Sequence, residues 1–194
     1  MSSRELETRT RLLEACWQLM EQQRGLNVSM SAIAKKAGVS RQAVYLHFPS
    51  RTDLMVACTH YVDEKKGFVQ RLDRFFNAQS SSEQIDALVE IWGGYIPEIY
   101  GLAKALILTS DTDEAAAVAW KGCMNCLHEA AMHIVKTLEQ EGKLAQEWAP
   151  DDAATLITTL MSVGNWETLC LDGGWTNERY IKQMRILIKG SFVA

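Results

Sequence analysis

The sequence predicts an all-α chain of about nine helices, a short N-terminal group followed by a larger helical body. Three observations predict it. Apolar residues recur at helical spacing in nearly every segment of the 194 residues. Only three prolines interrupt the chain, and no hairpin signal lies between alternating strands. Hydroxyl residues and glycines stand where the periodic segments begin and end.

Residues 4–23 carry Leu6, Leu12, Leu13, Cys16, Leu19 and Met20 on one broad stripe, and Arg24-Gly25 ends that helix. Ser29 can cap a short helix reaching Lys36, because a serine oxygen accepts from the amides left unpaired at a helix start. Gly38 breaks it, Ser40 caps a third helix, and Pro49 stops that one. Ser50-Arg51-Thr52-Asp53 has the form of a capping box. It opens a long fourth helix over 50–77, with Leu54, Ala57, Cys58, Tyr61, Val62, Val69, Leu72 and Phe76 on its apolar side. The polar run 77–82 reads as a linker. Helices follow near 82–96 and 99–109, then a long one over 113–141 that Gly142 ends. Another covers 151–171 and meets the turn Asp172-Gly173-Gly174. Thr176 can cap the last helix, whose stripe is Tyr180, Ile181, Met184, Leu187 and Ile188. The expected division is a head over 1–50, a connecting helix over 51–77 and a second domain over 78–194.

Charge separates head from body. Residues 1–51 hold eight Arg and Lys against four Glu, a net charge of +4, while the remainder carries −8. A basic head on an acidic body suits contact with a polyanion, although scattered surface charge could give the same balance. The five cysteines lie on helical, partly apolar segments, which points to reduced thiols rather than a disulfide framework. With a charged N-terminus and no apolar run long enough for a membrane span, a cytoplasmic protein without a membrane partner is expected.

The stretch 37–51, AGVSRQAVYLHFPSR, carries the functional reading. A helix over 29–36, a turn through Gly38 and a helix over 40–47 have the spacing of a helix-turn-helix. Ala34 is small enough for two helices to cross closely, and Gly38 takes the turn without a Cβ penalty. Ile33, Val39 and Val44 fill the space beneath. Ser40, Arg41, Gln42, Tyr45 and His47 are left outside, so the second helix is expected to enter a DNA major groove. Arg41 can pair with guanine O6 and N7, and Gln42 with adenine N6 and N7. Tyr45, His47 and Arg51 suit phosphates, which set register rather than sequence.

These residues resemble the DNA-binding domain of the tetracycline-repressor (TetR) family of bacterial regulators. Leu12-Leu13, Ala15-Cys16 and Leu19-Met20 match its first-helix pattern. Arg24-Gly25, Ser29, Ile33-Ala34, Ala37-Gly38-Val39-Ser40 and Tyr45-Leu46-His47-Phe48 follow in the family's order and spacing. Arg51 stands where the family usually has lysine, keeping the charge with a different geometry. Ser29 replaces the commoner threonine and keeps the hydroxyl. The resemblance covers about the first 55 residues; beyond residue 78 it is one of architecture only. It implies a homodimeric DNA-binding transcription regulator, most often a repressor, released from a palindromic double-stranded operator by a small-molecule effector. Ser29, Ser40, Arg41, Gln42, Tyr45, His47 and Arg51 are then the DNA-binding set.

In the second domain the resemblance implies a largely apolar ligand cavity between the middle helices. Trp92, Tyr95, Trp120, Met124 and Trp166 are its candidate walls, near the polar Asn125, His128 and Asn165. Each of these large residues could equally be core. Cys123 and Cys126, with His128 and His133 nearby, raise an alternative, a thiol- or metal-responsive regulator. Zinc wants four ligands, and redox Cys-x-x-Cys pairs usually open a helix, so burial in the core is the simpler expectation here. Leu160, Met161, Gly164, Tyr180, Met184 and Leu187 are the candidate dimer interface. Two neighbouring helices with broad apolar faces can pair with their copies as a four-helix bundle, or be buried within one chain. No glycine-rich phosphate loop, H-E-x-x-H or G-x-S-x-G motif occurs. The expectation is therefore neither an enzyme nor a cofactor or metal protein. A helical interaction module without DNA binding is the remaining alternative.

Overall fold

The computed structural model describes residues 3–23 and 28–194, the side chain of Arg4 excepted. Among them run α1 Ser3–Gln23, α2 Met30–Ala37, α3 Arg41–His47, α4 Arg51–Lys65, α5 Phe68–Phe76, α6 Ser81–Thr109, α7 Glu114–Gln140, α8 Pro150–Leu160, α9 Val163–Trp166 and α10 Asn177–Phe192. A π-helical turn, Glu167–Asp172, continues α9. The expected helix stop at Arg24-Gly25 lies outside the described residues. The all-α expectation holds. Among the described residues the sheet-like pairing is one isolated antiparallel bridge, Leu144 with Val193. No helix among them is long and apolar enough to cross a membrane.

The chain divides into two compact units, each discontinuous in sequence. The first comprises Met1–Lys66 and Ile99–Cys123, the second Gly67–Glu98 and Met124–Ala194. In the first unit, α1 buries Leu12, Leu13, Cys16, Leu19 and Met20, while Leu6 is exposed. Ile33 and Ala34 of α2, Val44 of α3, and Leu54, Cys58 and Val62 of α4 are buried in the same unit. Burying a side chain of this size fully contributes about 1.5–3 kcal/mol. The later segment adds buried Leu102, Ala103, Leu106, Ala115, Ala116 and Ala119. At Gly101 a Cβ would come within 3.1 Å of the Glu21 side chain, so α6 approaches α1 closely there.

In the second unit, Ile85, Leu88, Val89 and Ile96 of α6 are buried, as are Leu127, Ile134, Val135 and Leu138 of α7. Ala153 and Ile157 of α8 and Tyr180, Met184, Ile188 and Phe192 of α10 complete that core. A Cβ at Gly93 would come 2.9 Å from Ile181 Cγ1, so hydrogen at this position lets α6 and α10 approach. The loop after α7 is tied to the C-terminus. Ala145 N donates to the Phe192 carbonyl at 3.1 Å, and Trp148 Nε1 donates to that of Ser191 at 2.8 Å.

Three expected boundaries are corrected. The long helix over 50–77 is two helices, α4 and α5, because Gly67 takes a left-handed conformation, φ 64°, and starts a new helix. The apolar face is re-phased beyond it: Phe75 is buried, while Val69 and Phe76 are 59% and 66% exposed. The two helices expected over 82–109 are one. Pro97 lies inside α6, where its ring faces solvent, and buried neighbours such as Ile96 and Ile99 hold the helix together across the missing bond. The helix expected over 151–171 is broken near Met161. Ser162 recaps the chain by accepting from Asn165 N at 3.3 Å, and Asn165 Nδ2 donates to the Thr159 carbonyl at 2.8 Å.

Candidate nucleic-acid interface

The two short helices of the head are fixed at both ends by local chemistry. Ser29 Oγ accepts from Ala32 N at 3.1 Å, and Ser40 Oγ accepts from Ala43 N at the same distance. Between them Gly38 sits at φ 68°, and its N–H donates to the carbonyls of α2's last turn. Val39 N reaches the Ala34 carbonyl at 3.0 Å, closing the turn. After α3, Phe48 N donates to the Val44 carbonyl at 2.9 Å, and the buried Phe48 ring lies under the Arg9 guanidinium, 4.8 Å from it. Ser50 and Asp53 form the reciprocal capping box. A seven-residue helix is too short to persist alone, so these caps and the buried Val44 hold α3.

What α3 presents outward is polar and partly pre-positioned. Ser40, Arg41, Gln42 and Tyr45 are exposed, and His47 is half-buried. Arg41 Nη2 donates to the Tyr45 hydroxyl at 3.4 Å, with its guanidinium 5.7 Å from the ring. Ser29 and Ser40 spend an acceptor site on capping, and each hydroxyl keeps its hydrogen for donation to an anion. Leu46, absent from the expected set, is 81% exposed on the same short helix. An exposed leucine among candidate base-reading side chains can meet a thymine methyl. Its sequence signal was present in the helical spacing, since Val44 and Leu46 cannot both face inward.

Arg51 does not stand free as the phosphate reading expects. Its Nε donates to the Val28 carbonyl at 2.8 Å, and its Nη1 is ion-paired with Asp113 Oδ1. Asp113, just before α7, also accepts from Ala115 N at 3.1 Å. A cleft of about 540 Å³ contains this pair and is lined as well by Ser29, Ser31, Arg41 and Tyr45. No local sequence pattern pairs Asp113 with Arg51, 62 positions earlier.

The candidate ligand residues are distributed. Trp120 belongs to the first unit; Trp92, Tyr95, Met124 and Trp166 belong to the second. Trp92 and Tyr95 are brought together, rings 6.2 Å apart, with Phe68 of α5 stacked on Tyr95 at 4.2 Å. Trp92 Nε1 donates to the Met161 carbonyl at 2.7 Å. Arg71 lies over Tyr95, 5.7 Å from the ring, and holds Glu98 through two bonds of 2.6 and 3.1 Å. Trp166 is buried and donates to Asn177 Oδ1 at 2.8 Å. Phe68 and Arg71 were not expected here, because the unbroken helix assumed over 50–77 gave no reason to align them with α6.

The expected core placement of the Cys-x-x-Cys pair is corrected. Cys126 is exposed and Cys123 half-buried, since this part of α7 turns its 122–126 face outward. His128 Nδ1 lies 3.3 Å from Thr158 Oγ1, and the His133 ring packs 5.6 Å from Phe75. Among the described residues no group of three or more His, Cys, Asp or Glu is placed to hold a metal ion. The truly buried thiols are Cys16 and Cys58 in the head. A hydrogen bond to Cys16, then burial, pushes the Cys58 thiol well above its ordinary range. The dimer set is also corrected in part. Met161, Tyr180 and Met184 are consumed in the second unit's own core, whereas Gly164 and Leu187 are exposed and Leu160 is half-buried.

The family model for bacterial regulatory proteins of the tetR family matches residues 12–58, from the core of α1 through the start of α4. The nucleoid occlusion factor SlmA of Marinomonas sp. is 29% identical over 112 residues, covering 57% of this chain and 55% of that protein. The HTH-type transcriptional regulator AcrR of Shigella flexneri is 32% identical over 85 residues, covering 44% and 38%. The matched region thus spans about half the length of these curated relatives or less. Solved structures extend the likeness of fold to nearly the whole chain. A putative transcriptional regulator from Saccharomonospora viridis, crystallised with choline, superposes with a TM-score of 0.74 at 19% identity, over 97% of this chain and 98% of that one. NalD, the secondary repressor of a multidrug efflux pump in Pseudomonas aeruginosa, gives 0.73 at 18% identity, over 98% of both. With the capped helix-turn-helix at 29–47, the head of the chain matches the tetR family of bacterial regulatory proteins over residues 12–58, and the all-helical body behind it shares the fold of solved transcriptional regulators.

Proposed function

We propose that this protein is a transcriptional regulator that binds double-stranded DNA as a homodimer. It represses from a palindromic operator in the cytoplasm, without enzymatic activity, and is released by a small, largely apolar ligand. The observation that carries the reading is the outward set Arg41, Gln42, Tyr45 and Leu46 on a short helix capped at both ends. The types of these side chains match base edges and phosphates. Support for the effector comes from the ring cluster Phe68, Trp92 and Tyr95 in the second unit, and from the family. One structural neighbour was crystallised with choline, a small ligand, and NalD is a repressor.

The test is selection of duplexes from a randomised pool, followed by titration of the selected site. A palindrome is expected, with half-sites about 34–36 Å apart or a multiple of that. Gln42→Ala is expected to cost about 1–3 kcal/mol at particular base pairs and to relax preference there. Recovery of no preferred sequence, or an equal loss on all sequences for Gln42→Ala, rejects the base-reading role of α3.

A further inference from the structure

We propose that Asp113 takes, toward Arg51, the place of a phosphate of bound duplex DNA, and so sets how many cations the head offers to the polyanion. The inference rests on the DNA-binding reading above. Arg51 opens α4, next to the recognition helix, and its guanidinium is committed on two sides. The Val28 carbonyl at 2.8 Å fixes its orientation but leaves its charge intact. The Asp113 carboxylate cancels that charge. Both side chains are mostly buried, 25% and 21% exposed, so salt screens their attraction less than it would on an open surface. A carboxylate and a phosphodiester offer a guanidinium the same thing, paired anionic oxygens at the spacing of its N–H groups. The same Nη1–H cannot serve both.

Asp113 is itself held. Its Oδ1 accepts from Ala115 N at 3.1 Å and Ala116 N at 3.4 Å, so it caps α7 and its position follows the turn between α6 and α7. The pair shares its cleft with Ser29, Arg41 and Tyr45, three side chains of the DNA-facing set. A DNA strand that reaches those residues passes beside the carboxylate. Movement of the turn that withdraws Asp113 frees one cation for that strand, and movement that restores it takes the cation back. Asp113 is thus a positioning residue that acts through Arg51.

The test needs no operator, because phosphate contacts are independent of sequence. It uses a short duplex of mixed sequence and the full-length protein, with affinity measured as a function of salt. Each neutralised phosphate adds about 0.9 to the slope of log K against log salt concentration. Asp113→Asn still caps α7, and Asp113→Ser is a second capping variant. Both are expected to steepen the slope by about 0.9 and to raise affinity, the gain shrinking about threefold between 50 and 200 mM salt. In an Arg51→Gln background, Asp113→Asn is expected to leave the slope where Arg51→Gln alone puts it. A slope that neither Asp113 variant changes, or that steepens equally without Arg51, overturns the assignment. Absence of binding by every protein, the parent included, overturns the DNA reading itself and this inference with it.

Discussion

At Glu141 three hydrogen bonds converge on one carboxylate, from Lys143 Nζ at 2.8 Å, Ser81 N at 2.9 Å and Ser81 Oγ at 2.8 Å. Lys143 first, then the Ser81 amide, hold its carboxyl down to about 2. The folded value lies below the unfolded one, about 4.3. Its contribution is therefore present above that unfolded value and is lost as pH falls toward the folded one. Glu141→Gln is expected to melt below the parent at neutral pH, and the gap should close between about pH 4.3 and 2. Melts across pH check this, and a gap that stays constant rejects it. The same residue shows what a sequence withholds. The caps at Ser29, Ser40, Ser50 and Thr176 were readable, because each oxygen serves an amide three residues on. Glu141 and Ser81 are 60 positions apart, Arg51 and Asp113 62, and no local pattern joins them.

Among the elements, the break between α4 and α5 turns on one glycine. Gly67 sits at φ 64°, and a Cβ there would find only the Gln70 side chain, at 3.6 Å, an ordinary contact. Any penalty for a side chain therefore comes from the backbone conformation. Gly67→Ala is expected to cost about 1–2 kcal/mol, and Gly67→Asn less, because asparagine enters the left-handed region more readily. Urea denaturation of the two variants measures the difference; equal costs would point to a clash instead. Composition pointed to a helix here because Val69, Leu72 and Phe76 continue the spacing of Leu54 and Val62. A lone glycine is tolerated inside many helices, so only the structure shows that this one resets the phase and turns Phe76 to solvent. Pro97 is the opposite case, a breaker that breaks nothing because both sides of it are buried.

For the whole molecule, the all-helical class and the helix-turn-helix were legible because both depend on short-range spacing. The partition was not. Residues 99–123 join the first unit, and nothing in their composition distinguishes them from the rest of α6 and α7. The proposed dimer is affected in the same way, since periodicity marks apolar faces without saying which are covered by the chain itself. Met161 is fully buried, while Leu187 and Ile186 are 43% and 56% exposed. Leu187→Asp is expected to shift the protein from dimer to monomer in sedimentation while keeping its melting midpoint. Met161→Asp is expected to unfold it, a charge in that core costing on the order of 4 kcal/mol or more. A parent that sediments as a monomer, or a Leu187→Asp protein that stays dimeric, removes α10 from the interface.

The interleaving of the two units also sets a timetable for synthesis. Every candidate DNA-binding side chain of the head has been made once Arg51 leaves the ribosome, yet the first unit still lacks Ile99–Cys123. Translation runs at about 5–20 residues per second, so the stretch from Gly67 to Cys123 takes on the order of 3–11 s. Until their turn comes within that delay, Leu102, Ala103, Leu106 and Ala116 are missing from the first unit, and Arg51 has no Asp113 to neutralise it. The newborn head is therefore at its most basic, and its core at its most incomplete, while the chain is still attached to a particle made largely of RNA.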